Sequence, residues 1–320
     1  MADDLLATLT DLGGAGVDVV EVGAAEPARE PGRVRIGLHR SGPLPRTGLE
    51  PYDILLSAKP AAIFPWVGVG DLDAAADALR DAIERQPIAA AAAAQLLRVS
   101  LKLTFDQALT LESLAYSMLL ASDGFRAWRG ANPARERPDD GAPRVAVERD
   151  ETIHIRLTRP GARNAFDARL RDELCEALAF ALGEQGPVVL TGEGPAFSAG
   201  GDLDEFGRAA DVGEAHLIRM MRSPARLAHA LGSRLTARVH GACVGAGIEA
   251  PAAAGRLVAA PDATFRLPEV GMGLIPGAGG TVSIPRRIGR RRACWLAISG
   301  TTLDAQTALG WGLVDAVEPP

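Results

Sequence analysis

The sequence predicts an α/β fold, on three observations. Downstream of residue 144, short apolar segments alternate with stretches whose apolar residues recur at helical spacing, the pattern of strands and helices following one another. Upstream, between 71 and 130, the period is helical throughout, so an added, mostly helical region precedes the α/β part. The 320 residues are 47% hydrophobic, enough for a large core. With aromatics at 4%, Ala, Leu, Val and Ile must fill it. The chain divides into an N-terminal extension without a catalytic motif (1–70), a helical region (71–130), a linker (131–143) and an α/β core (144–320).

The elements follow in order. VDVVEV at 17–22 and RVRIGL at 33–38 read as short strands, and DILL at 53–56 and WVGV at 66–69 add two apolar segments between Pro- and Gly-rich turns. Asp71 is placed to cap a helix carrying Leu72, Ala76, Leu79 and Ile83 on one face. Pro87 opens an alanine-rich helix to about residue 99. Thr104 with Gln107 three positions on is a capping-box pair, and the helix it starts is expected to bury Leu111, Leu114, Ala115 and Met118. Ser122, Asp123 and Gly124 end that helix and open a short segment, FRAWRG. The linker ANPARERPDDGAP has charge, Pro and Gly but no apolar period. Beyond it, Ile153, Ile155 and Leu157 alternate with polar residues as a half-buried strand. Asp167 caps a helix bearing Leu170, Leu174 and Leu178, and PVVLT at 187–191 is a buried strand before the glycine-rich GPAFSAGGDL at 194–203. A helical stretch over about 211–231, strands at 235–240, 256–259 and 264–267, and a last helix at about 291–298 complete the pattern. The arginine run from 286 to 292 is expected to cap and solvate that last helix.

The net charge of −6 argues against a nucleic-acid partner, whose binding rests on basic surface. The alanine tract at 89–94 is too short and too polar at its flanks to span a bilayer, so no membrane partner is expected. Cys175, Cys243 and Cys294 form no CxxC pair, which points to a reducing cytoplasm, and the acidic N-terminus lacks the build of a secretory signal. Chemistry concentrates between 240 and 281. Glu249 lies in HGACVGAGIEAPAAAG and Glu269 in FRLPEVGMGLIPGAGGT, twenty positions apart and otherwise surrounded by Gly, Ala, Pro, Leu and Val. Desolvation raises a carboxyl's pKa and fits it for moving protons near neutral pH, while glycines let the backbone approach a ligand.

Several motifs together resemble the crotonase superfamily, the enoyl-CoA hydratases and isomerases: FSAGGDL (197–203), VHGACVGAGIE (239–249), FRLPEVGMGLIPGAGGT (265–281), RIGRRRACWLAISG (287–300) and ALGWGLVDAV (308–317), preceded by RPGARNAFD (159–167). They cover 144–318 in the family's order. The resemblance implies the family's spiral of ββα turns and a coenzyme A thioester as substrate, with no further cofactor and no metal. It implies an oxyanion hole from the N–H groups of Gly201 and Ala246, the latter where glycine is more usual. It assigns Glu249 to activate a water for attack at Cβ and Glu269 to protonate Cα, making the chain a hydratase. The alternatives are another acyl-CoA reaction, Δ3–Δ2 isomerisation or thioester hydrolysis, or a non-catalytic CoA-ester-binding subunit. Substrate contacts are implied at Arg163, Ala165, Ala199, Asp202, Leu203 and Gly277, and a homotrimer or dimer of trimers as the assembly.

Members of the family continue past the segment matched by GLVDAV into helices that cover the site and build the trimer. Residues 71–130 resemble those helices, which implies a circularly permuted order. That order places Pro320 near the start of the 71–85 helix and the 104–121 helix over the CoA site. Among other classes, a serine hydrolase using Ser198 lacks the G-x-S-x-G elbow, no HExxH or Cys/His cluster suggests a metal enzyme, and GMGLIPGAGG lacks the strand–glycine–helix setting of a dinucleotide site.

Overall fold

The computed structural model describes residues 16–23, 30–60, 62–136 and 141–319. Near the N-terminus β1 (Gly16–Glu21), β2 (Arg33–His39), β3 (Ile54–Ser57) and β4 (Val67–Gly68) form a parallel sheet in that order. Four helices follow. In α1 (Leu72–Arg85) the Asp71 side chain accepts from Ala74 N, and Leu72, Ala76, Leu79 and Ile83 are the buried face. α2 (Pro87–Ser100) starts on its proline and buries six successive alanines, a surface smooth enough for close helix packing. α3 (Phe105–Leu120) carries the complete capping box of Thr104 and Gln107, and α4 (Asp123–Ala131) is capped by Ser122.

The inner face of α3 differs from the one expected. Phe105, Ala108, Leu109, Glu112, Ser113, Ser117 and Leu119 are buried, whereas Leu114 and Met118 are exposed. The helix turns a carboxyl and two hydroxyls inward because each finds a partner there, and leaves two large apolar residues on its outer side.

In the second half, β5 (Val145–Arg149), β6 (Ile153–Leu157), α5 (Ala168–Gly183), β7 (Val188–Gly192), α6 (Val212–Met221) and α7 (Pro224–Leu231) precede β8 (Leu235–Val239), β9 (Ala242–Val244), α8 (Ala246–Glu249), β10 (Arg256–Ala259) and β11 (Thr264–Arg266). α9 (Gly280–Ser299), β12 (Leu303–Asp304), α10 (Ala305–Trp311) and β13 (Ala316–Val317) close the described chain. One sheet has the order β13-β10-β8-β7-β6-β5, parallel except for the β5–β6 pair. A small sheet has the order β12-β11-β9. Consecutive strands go alternately to the large and the small sheet: β8 then β9, β10 then β11. This repeat of two strands and a helix is the ββα spiral that the resemblance implies.

The two halves share one hydrophobic core, which runs from Val34 and Leu79 through Phe197 and Leu257 to Val314. α9 is its axis. It begins at Gly280, well before the expected start, and breaks at Gly289 (φ 76°), where Phe64 packs at 2.5 Å from where a Cβ would stand. The arginine run solvates this helix only at Arg286, which is exposed; the others turn inward. Arg292 is 3% exposed and donates to Trp66 O (3.0 Å) and Ala62 O (3.1 Å), Arg291 donates to Tyr52 O and Leu49 O, and Arg290 donates to Glu50 O. Arg286 reaches Leu103 O (3.0 Å) and Arg287 reaches Ala252 O (2.8 Å) and Ala254 O (2.8 Å). A guanidinium offers five N–H donors; those of Arg290, Arg291 and Arg292 fill carbonyls of the 49–66 loops, and those of Arg286 and Arg287 fill carbonyls at 103 and 252–254. The expected neighbourhood of Pro320 lies outside the described residues.

Candidate active site

β9 passes into α8 through Gly245, at φ 49° and ψ −121°. Residues with a Cβ hardly reach that conformation. A Cβ there would collide with Glu269 Oε1 and stand 3.7 Å from Glu249 Oε1, so both carboxylates close on the same backbone atom. Glu249 ends α8 and is 2% exposed. Its Oε2 accepts from Ala278 N (2.7 Å) and Gly280 N (2.9 Å). Glu269 opens a single 3₁₀ turn after β11, and its Oε2 is buried with no hydrogen-bond partner among the described residues.

Burial pushes the Glu269 carboxyl up to about 8. Burial also raises Glu249 well above the usual carboxylate range, helped by the charges of Glu269 and Glu112 and opposed by the two N–H donors. Two dry carboxyls this close titrate as a pair. The donors on Glu249 favour its ionised form, whereas Glu269 has an oxygen free to carry and give a proton.

Both residues line a cavity of about 250 Å³, and so do Gly201, Ala246, Gly277 and Asp202. Neither the Gly201 N–H nor the Ala246 N–H donates to an acceptor among the described residues. The structure therefore brings two carboxylates and two unengaged backbone donors to one chamber. Its other walls are largely apolar: Leu109, Tyr116 and Leu120 from α3, Met220 from α6, with Phe166 and Phe206.

The remaining expected contacts lie beside the chamber rather than on its wall. Arg163, in the left-handed region at φ 50°, accepts on its carbonyl from Ala199 N (2.8 Å). Phe166 N donates to Gly200 O (2.8 Å), which zips 163–166 to 199–202. Arg163 is exposed, and its side chain makes no hydrogen bond among the described residues. Ala165 O accepts from Arg159 (2.9 Å), and Leu203 is 42% exposed. Asp202 is 2.8 Å from Arg159, so its carboxylate is already neutralised by the protein. Ser198 is fully buried, donating to Asn164 O and accepting from Gly200 N, which makes it a strut of this loop and not a nucleophile. Among the described residues no group of three or more His, Cys, Asp or Glu is arranged to hold a metal ion.

A family model described as enoyl-CoA hydratase/isomerase matches residues 148–320. The chain belongs to the enoyl-CoA hydratase/isomerase family. It is 34% identical over 185 residues to a mevalonyl-coenzyme A hydratase of Beauveria bassiana, an alignment over 55% of this chain and 66% of that one. It is 37% identical over 161 residues to a probable enoyl-CoA hydratase of Rhodobacter capsulatus, over 50% of this chain and 62% of that one. The chain thus spans less than two thirds of these relatives' length, 66% and 62%. The crystal structure of an enoyl-CoA hydratase from Thermoplasma volcanium is similar, with a TM-score of 0.52 and 33% identity over 56% of this chain and 73% of that one.

The part that matches the enoyl-CoA hydratase/isomerase family holds Glu249, Glu269, Gly201 and Ala246, but part of the chamber wall comes from outside it. Glu112 and Tyr116 of α3 line the chamber too. From within the matched part, Arg219 of α6 lines it as well; its guanidinium sits 4.8 Å from the Tyr116 ring centroid and donates to Ser113 Oγ (3.1 Å), Ser113 O (3.2 Å) and Ser117 Oγ. None of these three was singled out as a site residue from sequence. The available signal was a lone glutamate inside TLESLAYS, in a helix otherwise short of charge.

Proposed function

We propose that this chain adds water to a 2-enoyl-CoA thioester in the syn sense, giving a 3-hydroxyacyl-CoA. The supporting observation is that Glu249, Glu269, Gly201 and Ala246 line one chamber and that the N–H groups of the last two have no acceptor among the described residues. In this reading the thioester oxygen takes the N–H groups of Gly201 and Ala246. Donors fixed where charge develops stabilise the enolate without reorganisation, and one such donor is worth about 10²–10³ in rate. A water between Glu249 and Glu269 attacks Cβ through its oxygen and passes a proton to Glu249. Glu269, held protonated by its dry setting, gives its proton to Cα. The two transfers together add one H₂O and leave Glu249 protonated and Glu269 ionised; passage of that proton from Glu249 back to Glu269 resets the pair. The reaction asks for no metal and for no cofactor beyond the CoA of the substrate. In this reading Arg163 pairs with the CoA phosphates, and Ala165, Ala199 and Leu203 rim the nucleotide. Gly277 lies under the Tyr116 ring on the acyl side.

An isomerase needs a single carboxylate to shuttle one proton, so two carboxylates on one chamber favour hydration. The relatives whose names specify hydratases support the same reading. A homotrimer or dimer of trimers would cover Leu114, Met118, Leu217 and Met221, large apolar residues exposed on the packed helices α3 and α6. No described helix is long and apolar enough to cross a membrane. The three cysteines are unpaired and buried, as suits a reducing cytoplasm.

The test is the loss of enoyl absorbance on hydration. Glu249→Gln and Glu269→Gln should each lower kcat by about 10²–10⁴-fold, the range for a general acid or base, with acyl-CoA binding retained. Binding of enoyl-CoA without turnover at any chain length would overturn the reading. Conjugation of a 3-enoyl-CoA without water uptake would replace it with isomerisation.

A further inference from the structure

Peptides 278–281 lead into α9, where backbone N–H groups have no partner within the helix. Two carboxylates divide them. Ala278 N and Gly280 N donate to Glu249 Oε2. Gly279 N donates to Glu112 Oε1 (2.8 Å), Thr281 N to Glu112 Oε2 (2.8 Å), and Thr281 Oγ1 to the same oxygen (2.6 Å). The assignment alternates residue by residue, so neither carboxylate can shift without tilting the peptides that hold the other. Glu112 is 1% exposed and comes from α3, far outside residues 148–320.

We propose that Glu112 is the positioning residue of this site: it locks the 278–281 turn so that the N–H groups of Ala278 and Gly280 stay aimed at the Glu249 carboxylate. Geometry requires a carboxylate there. Three donors converge on two oxygens, and glutamine would keep one acceptor and point an NH₂ at an N–H. Negative charge is also favoured at a helix start. Burial raises Glu112 to about 7, with Thr281, Gly279 and Arg219 opposing the shift, so it is part of the same proton inventory as the pair it supports. The ionisable groups around Glu249 are Glu269 from the turn after β11, Glu112 and Tyr116 from α3, and Arg219 from α6. Removing the Glu112 charge alone would let Glu249 ionise at lower pH, whereas releasing the Ala278 and Gly280 donors makes it ionise at higher pH.

The proposal rests on the hydratase reading only for its kinetic arm. In the full chain, ¹³C carboxyl titration follows Glu249, identified by its loss in Glu249→Gln. In Glu112→Gln the loosened donors should move the Glu249 midpoint upward, against the fall that loss of charge alone would give. Hydration kcat should drop on the order of 10²-fold, the cost of a misplaced catalytic group, with KM changed far less. Thr281→Val removes one of the three donors and should move both readouts the same way by a smaller amount. It decides the matter if Glu112→Gln does not fold. The proposal is overturned if the Glu249 midpoint stays at or falls below its wild-type value in the folded variants, or if kcat loss merely follows loss of folded protein by circular dichroism. Should the wild type hydrate nothing while the midpoint still rises, the hydratase reading falls and the positioning role stands.

Discussion

The two walls of the chamber are built from different materials. The wall from 245 to 281 is backbone: short turns, peptide N–H groups, and two carboxylates held against Gly245. The wall from α3 and α6 is side chain: Leu109, Tyr116, Leu120 and Met220 on regular helices pinned by Arg219 to Ser113 and Ser117. A backbone wall fixes atoms to within tenths of an ångström but tolerates almost no substitution. A side-chain wall on helices can be recut while its frame stays in place. In the reading proposed above, the first wall carries the chemistry and the second the choice of acyl group. Glu112 joins them, since it stands on the helical wall and holds the backbone one.

The sharpest way to break this contrast is Gly245→Ala. The added methyl collides with Glu269 Oε1 and forces a conformation that L-residues hardly adopt. Activity should fall on the order of 10²-fold or more through displacement of the acid, while acyl-CoA binding measured by calorimetry persists. A Gly245→Ala protein with wild-type kcat would show that this wall tolerates movement.

A second test uses pH. Burial raises Glu269 from 4.5 to about 8, so the folded state holds a proton that the unfolded state releases. The sign follows directly: this stabilising contribution is complete below about 4.5 and is lost as pH rises through about 8, at up to roughly 1.4 kcal/mol per pH unit between them. Glu249 and Glu112 act in the same direction. Glu269→Gln should therefore flatten the decline of Tm between pH 5 and pH 8.5 and be more stable than wild type at the upper end. An unchanged slope would mean that Glu269 is wetter than its burial implies.

The same contrast explains what could be read from the sequence. Glu249 and Glu269 could be read as carboxyls among apolar neighbours, whereas Gly201 and Ala246 came from the family resemblance; all four line one cavity. The capping residues Asp71, Thr104 and Asp167 were visible for a similar reason, since each acts within a few residues of itself. The partners of Glu112 lie 167 and 169 residues away, and no local pattern announces them. Hydrophobic phasing failed on α3 for the same cause: its inner face is partly polar, and Leu114 and Met118 face outward. The arginine run misled because seven residues rich in charge normally mark a solvated face. Here the carbonyls of loops 49–66 draw the guanidinium groups inward.

The smallest expected effects belong to the helical wall, where substitution should alter preference rather than the chemical step. Leu120 and Met220 face the chamber from α3 and α6, and neither touches the carboxylates through a hydrogen bond. Leu120→Ala and Met220→Ala enlarge the acyl side by a few methylenes. Apolar pockets discriminate by about 1–3 kcal/mol per methylene, so the ratio of kcat/KM for long over short enoyl-CoA should rise by about tenfold or more in each variant. On the short substrate kcat should stay within about threefold of wild type, because the carboxylates and their N–H partners keep their places. A loss of kcat on every chain length, equal to that of Gly245→Ala, would mean that the two walls move as one body and that specificity and chemistry are not separately encoded in this fold.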